Sequence, residues 1–82
     1  MLHRMPYQID KIQVPAKRAK TLDPTKVQEI AESILDEGQQ TPIQLRKAGE
    51  KFVLVEGLHR LEALKALGEQ EVEGYLVQAR RH

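Results

Sequence analysis

The stretch Glu56-Gly57-Leu58-His59-Arg60 separates two patterns of different period. Before it, Phe52-Val53-Leu54-Val55 is a short apolar run, read as a strand covered on both faces. After it, a helix is expected from about Leu58 through Leu61, Leu64, Lys65 and Leu67, with Gly68 as its stop. A strand that becomes a helix at a glycine leaves the first amides of that helix without intrahelical partners. The helix dipole adds partial positive charge there, so an anion is favoured. Gly57 allows a sharp turn and a close approach of phosphate to the backbone. Arg60 offers a planar fork suited to phosphate oxygens, and His59 can donate hydrogen bonds or shuttle a proton. An arginine in a first turn opposes the dipole, and a bound anion would account for it. The plainer reading is a common strand-to-helix glycine followed by solvated His and Arg side chains.

Working outward, Tyr7 to Val14 reads as a first strand with imperfect alternation, ended by Pro15. Ala16 to Leu22 reads as a basic loop. Asp23-Pro24 opens the first helix, with Asp as N-cap and Pro at the first helical position. Val27, Ile30, Ala31 and Ile34 then form one apolar stripe, and Gly38 stops the helix. Lys26, Glu29 and Ser33 flank the stripe at helical spacing. They suit a phosphate, base or sugar contact, or else a solvated face on which Lys26 and Glu29 pair. Gln39-Gln40-Thr41-Pro42 is a turn, and Ile43 and Leu45 alternate with Gln44 and Arg46 as a strand with one buried face. Residues 47–50 connect a hairpin, and residues 72–77 form a last strand. The order β-α-β-β-α-β implies an α+β fold, with helices packed on a small mixed sheet.

The chain has 82 residues, 40% apolar and 30% charged, with a net charge of +1. That is one small domain over residues 1–82, with a core at about 7–78 and flexible ends at 1–6 and 79–82. So neutral a chain has no global field for nucleic acid. The exception is residues 1–20, where Arg4, Lys11, Lys17, Arg18 and Lys20 face one acid, Asp10, for a local charge of +4. The absence of Cys excludes disulfides, thiolate catalysis and Cys-ligated zinc. His3 and His82 have no metal-ligand spacing with His59, and there is no HExxH, Walker lysine loop or hydrolase triad, so no metal site is expected. No apolar run approaches the roughly 20 residues of a membrane span. Met1 to Asp10 lacks the apolar core of a signal peptide, so a cytoplasmic protein is expected.

Three motifs in order then carry a resemblance: Asp23-Pro24-Thr25-Lys26-Val27-Gln28, Gly38-Gln39-Gln40-Thr41-Pro42-Ile43 and Gly57-Leu58-His59-Arg60. From Ile9 to Val77 the chain resembles the ParB/sulfiredoxin superfamily. The resemblance implies that the last motif binds nucleotide phosphates, ATP in sulfiredoxins and CTP in ParB proteins. By position, Gly57, Leu58, His59, Arg60 and Lys26 would hold phosphates. Ser33 and Glu29 would lie near base or sugar. Sulfiredoxins carry Cys where this chain has Leu58, so peroxiredoxin sulfinic acid reduction is excluded.

The expected function is therefore a ParB-like module that binds a nucleoside triphosphate, ATP or CTP, with Mg²⁺. It would act as a switch or as a unit that binds a protein partner or a second copy, with DNA association resting on the basic segment. The alternative is a Mg²⁺-dependent phosphotransferase or NTPase with Glu29, Glu56 or Glu62 as base.

Overall fold

In the computed structural model, which describes residues 3–39 and 41–77, the sheet is organised around the alternation Ile43-Gln44-Leu45. Strand β3 (Ile43–Ala48) forms a hairpin with β4 (Lys51–Glu56), Leu45 opposite Leu54 and Ala48 opposite Lys51. On its other side β3 pairs in parallel with β5 (Glu71–Leu76), Ile43 opposite Gly74 and Leu45 opposite Leu76. Ile43 and Leu45 both point inward and are fully buried. The buried strand face, the hairpin and the last strand stand as the sequence implies.

The first strand does not. The run expected as one strand over residues 7–14 is divided into β1 (Met5–Gln8), a 3₁₀ turn (Ile9–Lys11) and β2 (Ile12–Gln13). Ile9 and Ile12 are both buried. They are three residues apart, and a continuous strand would send them to opposite faces; the 3₁₀ turn brings both inward. Consequently β1 pairs antiparallel with β5 while β2 pairs in parallel with β4. The sheet order is β1-β5-β3-β4-β2, so one bent run of chain covers both edges. Tyr7 of β1 meets Phe52 of β4 edge to face, ring centroids 5.0 Å apart, which shows how far the sheet curls. Both edge strands are therefore short, four and two residues, and short edges blunt the exposed ladders that invite aggregation.

Ala16 to Leu22 is likewise not all loop, because a four-residue helix α1 (Ala16–Ala19) forms directly after Pro15. Helix α2 (Pro24–Glu37) begins and ends where expected. The Asp23 carboxylate accepts the Thr25 N–H at 3.0 Å, and the Gly38 N–H closes on the Ile34 carbonyl at 2.8 Å. Its stripe, Val27, Ile30, Ala31 and Ile34, is only half-buried. Helix α3 (Leu58–Ala66) carries the buried set, Leu58, Leu61, Ala63 and Leu64. It therefore lies between the sheet and α2. Within β4 only Leu54 is buried; Phe52, Val53 and Val55 are half-buried, so that strand is not covered on both faces. One helical layer and a short bent strand are too little material to cover it.

Met5 and Pro6, expected in a flexible end, belong to β1. Residues 1, 2 and 79–82, expected in the ends, lie outside the described residues, as do Gln78 and the turn residue Gln40. Among the described residues no helix is long and apolar enough to cross a membrane.

Ile43 is completely inaccessible and touches elements on both sides of β3. Replacing it with Ala should lower the unfolding free energy by about 2–5 kcal/mol. Urea denaturation should show an earlier midpoint with an unchanged slope.

Candidate functional site

Gly57 is the N-cap of α3 and sits in the left-handed region, φ 109° and ψ 30°. A Cβ built there would fall 2.5 Å from Ile43 Cγ2 and 2.8 Å from Ile43 Cβ. The glycine is thus required twice, by its dihedral angles and by contact with a fully buried residue of β3. The room left by its missing side chain is taken by Ile43 on the core side.

The first intrahelical bond of α3 runs from the Leu61 N–H to the Gly57 carbonyl at 2.9 Å. Ahead of it, the amides of Leu58, His59 and Arg60 have no acceptor among the described residues. The Leu58 side chain is buried in the core, so only its amide faces this end of the helix. Arg60 is half-buried, and its guanidinium makes no hydrogen bond or ion pair among the described residues. His59 is already engaged. Its Nε2 accepts the Asp23 N–H at 3.0 Å, which places the ring proton on Nδ1 and leaves one donor free.

That hydrogen bond ties the start of α3 to the start of α2. At their far ends, Ile34, Leu35 and Gly38 share a groove with Leu64 and Leu67, so the two helices run side by side in the same direction. Their positive dipole ends are adjacent. Lys26 lies in the first turn of α2, close to this end, and is exposed without an ion-pair partner among the described residues. Glu29 and Ser33, also exposed, continue down the same face, Ser33 about 10 Å beyond Lys26 along the axis. No ion pair joins Lys26 to Glu29 among the described residues. Glu62 faces Lys65 instead, at 3.1 Å, one turn along α3.

The basic segment is dispersed. Arg4 pairs with Glu73 and donates to the Gln39 carbonyl at the β1 side, while Arg18 pairs with Glu56 at 3.2 Å. The second pair is a feature that sequence reasoning missed, because nothing in the spacing of positions 18 and 56 connects them. Residues 18–23 form a strap fastened on either side of Gly57: Arg18 to Glu56, Asp23 to His59. Among the described residues no group of three or more His, Asp or Glu side chains is placed to hold a metal ion.

Known proteins share the family and the fold. The family model described as ParB N-terminal domain matches residues 5–82. Over 62 residues, 76% of this chain, the sequence is 37% identical to the "Probable chromosome-partitioning protein ParB" of Campylobacter jejuni, and it spans 22% of that relative's length. Sulfiredoxin from Arabidopsis thaliana superposes with a TM-score of 0.83 at 27% identity, covering 94% of this chain and 86% of that one. The chromosome-partitioning protein ParB of Caulobacter crescentus, complexed with CTP-γ-S, gives 0.82 at 20% identity, covering 95% and 46%. A free serine kinase in complex with ADP gives 0.80 at 22% identity, covering 92% and 31%. The last two likenesses are of fold.

Two substitutions check the local geometry. Gly57→Ala should destabilise the domain by about 1–3 kcal/mol, combining dihedral strain with displacement of Ile43, as thermal unfolding would read. His59→Ala should speed hydrogen exchange at the Asp23 amide and cost about 1 kcal/mol, the worth of one lost bond.

Proposed function

The chain belongs to the ParB N-terminal domain family, and on that premise we propose that it is a nucleotide-binding module holding the phosphates of a nucleoside triphosphate at the first turn of α3. The observation that carries this reading is the set of unpartnered donors at one place: the amides of Leu58, His59 and Arg60 together with the Arg60 guanidinium. Oriented amides at a helix start attract anions, and an unpaired planar fork beside them supplies bidentate contacts to phosphate oxygens. The adjacent start of α2 reinforces the field, and Lys26 is the nearest cation on that helix to add a point charge.

The residues fit the group in distinct ways. Gly57 sets the direction of the helix start, Leu58 supplies only its amide, His59 supplies Nδ1–H, and Arg60 supplies its fork. Glu29 and Ser33, exposed farther along α2, would contact the sugar or base. A Mg²⁺ ion arriving with ATP or CTP would be ligated mainly by the phosphates. The CTP analogue bound by the Caulobacter ParB and the ADP bound by the free serine kinase, both of this fold, support a nucleotide as the ligand. The module works as a switch or a partner-binding unit: ligand binding orders the strap and the two helix starts, and that end of the molecule is what a protein partner, a second copy or a DNA-bound assembly would read. A cytoplasmic setting suits such a ligand.

A thermal-shift screen of ATP, CTP, GTP and UTP, with and without Mg²⁺, should raise the melting temperature for at least one nucleotide, because a ligand of the folded state stabilises by mass action. Arg60→Ala should weaken that nucleotide by about 10- to 100-fold in calorimetric titration, the loss of charge-assisted bonds. Unchanged affinity in this variant would remove the reading.

A further inference from the structure

Among the described residues, Arg18 carries a side-chain nitrogen that is buried without a hydrogen-bond partner. Its Nη2 reaches Glu56 Oε2 at 3.2 Å, but its Nε is sealed from solvent with no hydrogen-bond partner. A buried donor without an acceptor is costly, so this rotamer is one the side chain leaves when a better acceptor is offered. Its carrier is slight. Helix α1 has four residues, none of them buried. The carboxylate it holds belongs to Glu56, the residue immediately before Gly57, and is 64% exposed. An uncompensated carboxylate there would repel any anion approaching the start of α3.

We propose that Arg18 and Glu56 form a charge latch that makes this site select for highly charged polyphosphates. The inference rests on the nucleotide reading above and deepens it. In the free protein the guanidinium neutralises Glu56. When a polyphosphate binds, the guanidinium turns to the phosphate oxygens, freeing Nε from its sealed position. The attraction of Arg18 to the ligand scales with ligand charge, whereas the cost of giving up Glu56 is fixed, so a triphosphate turns the side chain where a monophosphate does not. Because residues 18–23 are also fastened to His59 through the Asp23 amide, moving Arg18 pulls on the strap joining the two helix starts. Ligand charge is thereby converted into a change at the surface around α1.

The test titrates inorganic tripolyphosphate and orthophosphate into the wild-type domain and into Arg18→Ala, Arg18→Lys and Glu56→Gln at low salt, followed by calorimetry. Thermal unfolding of each variant verifies the fold, which loss of one exposed ion pair should barely change. Arg18→Ala should weaken tripolyphosphate by about 10-fold, Glu56→Gln should tighten it by about 3-fold, and Arg18→Lys should retain most of the affinity; orthophosphate should change by less than about 2-fold throughout. The opposite signs confined to tripolyphosphate, with orthophosphate unmoved, are what a latch requires. If both neutralising variants weaken binding, or neither changes it, the pair is only a brace and the latch is overturned while the nucleotide reading stands. If the wild-type domain binds neither tripolyphosphate nor any nucleoside triphosphate, both fall together.

Discussion

The packing of Ile43 between two glycines is the constraint on which the rest of the molecule depends. A Cβ at Gly57 would meet its side chain at 2.5 Å, and a Cβ at Gly74 would meet its carbonyl oxygen at 2.9 Å. One contact fixes the start of α3 directly against the central strand. The other lets β5 approach β3 in parallel register. Ile43 is the first residue of β3, so its position also sets which end of the sheet receives the helix start. A small domain has few large side chains with which to fix such a junction, and here a single aliphatic residue with two missing β-carbons suffices.

From that junction the electrostatics follow. Helices α2 and α3 start together, held by the bond from the Asp23 amide to His59 Nε2, so their dipoles add at one end. That end carries Lys26, Arg60 and Arg18, cations placed against the dipoles. The arrangement does nothing for the stability of either helix. It places positive charge where amides are unpartnered, at a small cost to each helix. Helix α2 is only half-buried because it is the outer layer: it packs on α3, which packs on the sheet.

The bent first run of chain links edge protection to the core. Ile9 and Ile12 enter the hydrophobic cluster with Tyr7, Val14 and Phe52 packed around it, and in doing so the segment caps both β5 and β4. It then leads through Pro15 into the strap at the helix starts, so the sheet edge and the candidate site are controlled by one continuous segment.

Local chemistry in the sequence determined a good part of this. The Asp23-Pro24 cap, the stops at Gly38 and Gly68, the alternation Ile43-Gln44-Leu45 and the break at Gly57 each act within a few residues, and each element they delimit formed, β4 with less burial than read. The unpartnered amides of Leu58, His59 and Arg60 were equally legible, since orphan amides belong to any helix start. Tertiary structure decided what sequence distance hides. The spacing of Ile9 and Ile12 admits either a poor strand or a turn, and only a core on one side selects the turn. Gly57 reads as a turn residue until Ile43, fourteen positions earlier, fills the space its side chain would need. His59 reads as a free donor until Asp23 takes its Nε2, and Arg18 as a loop cation until Glu56 holds it. In each case the deciding contact joins groups far apart in the chain, brought together by packing that no local pattern encodes.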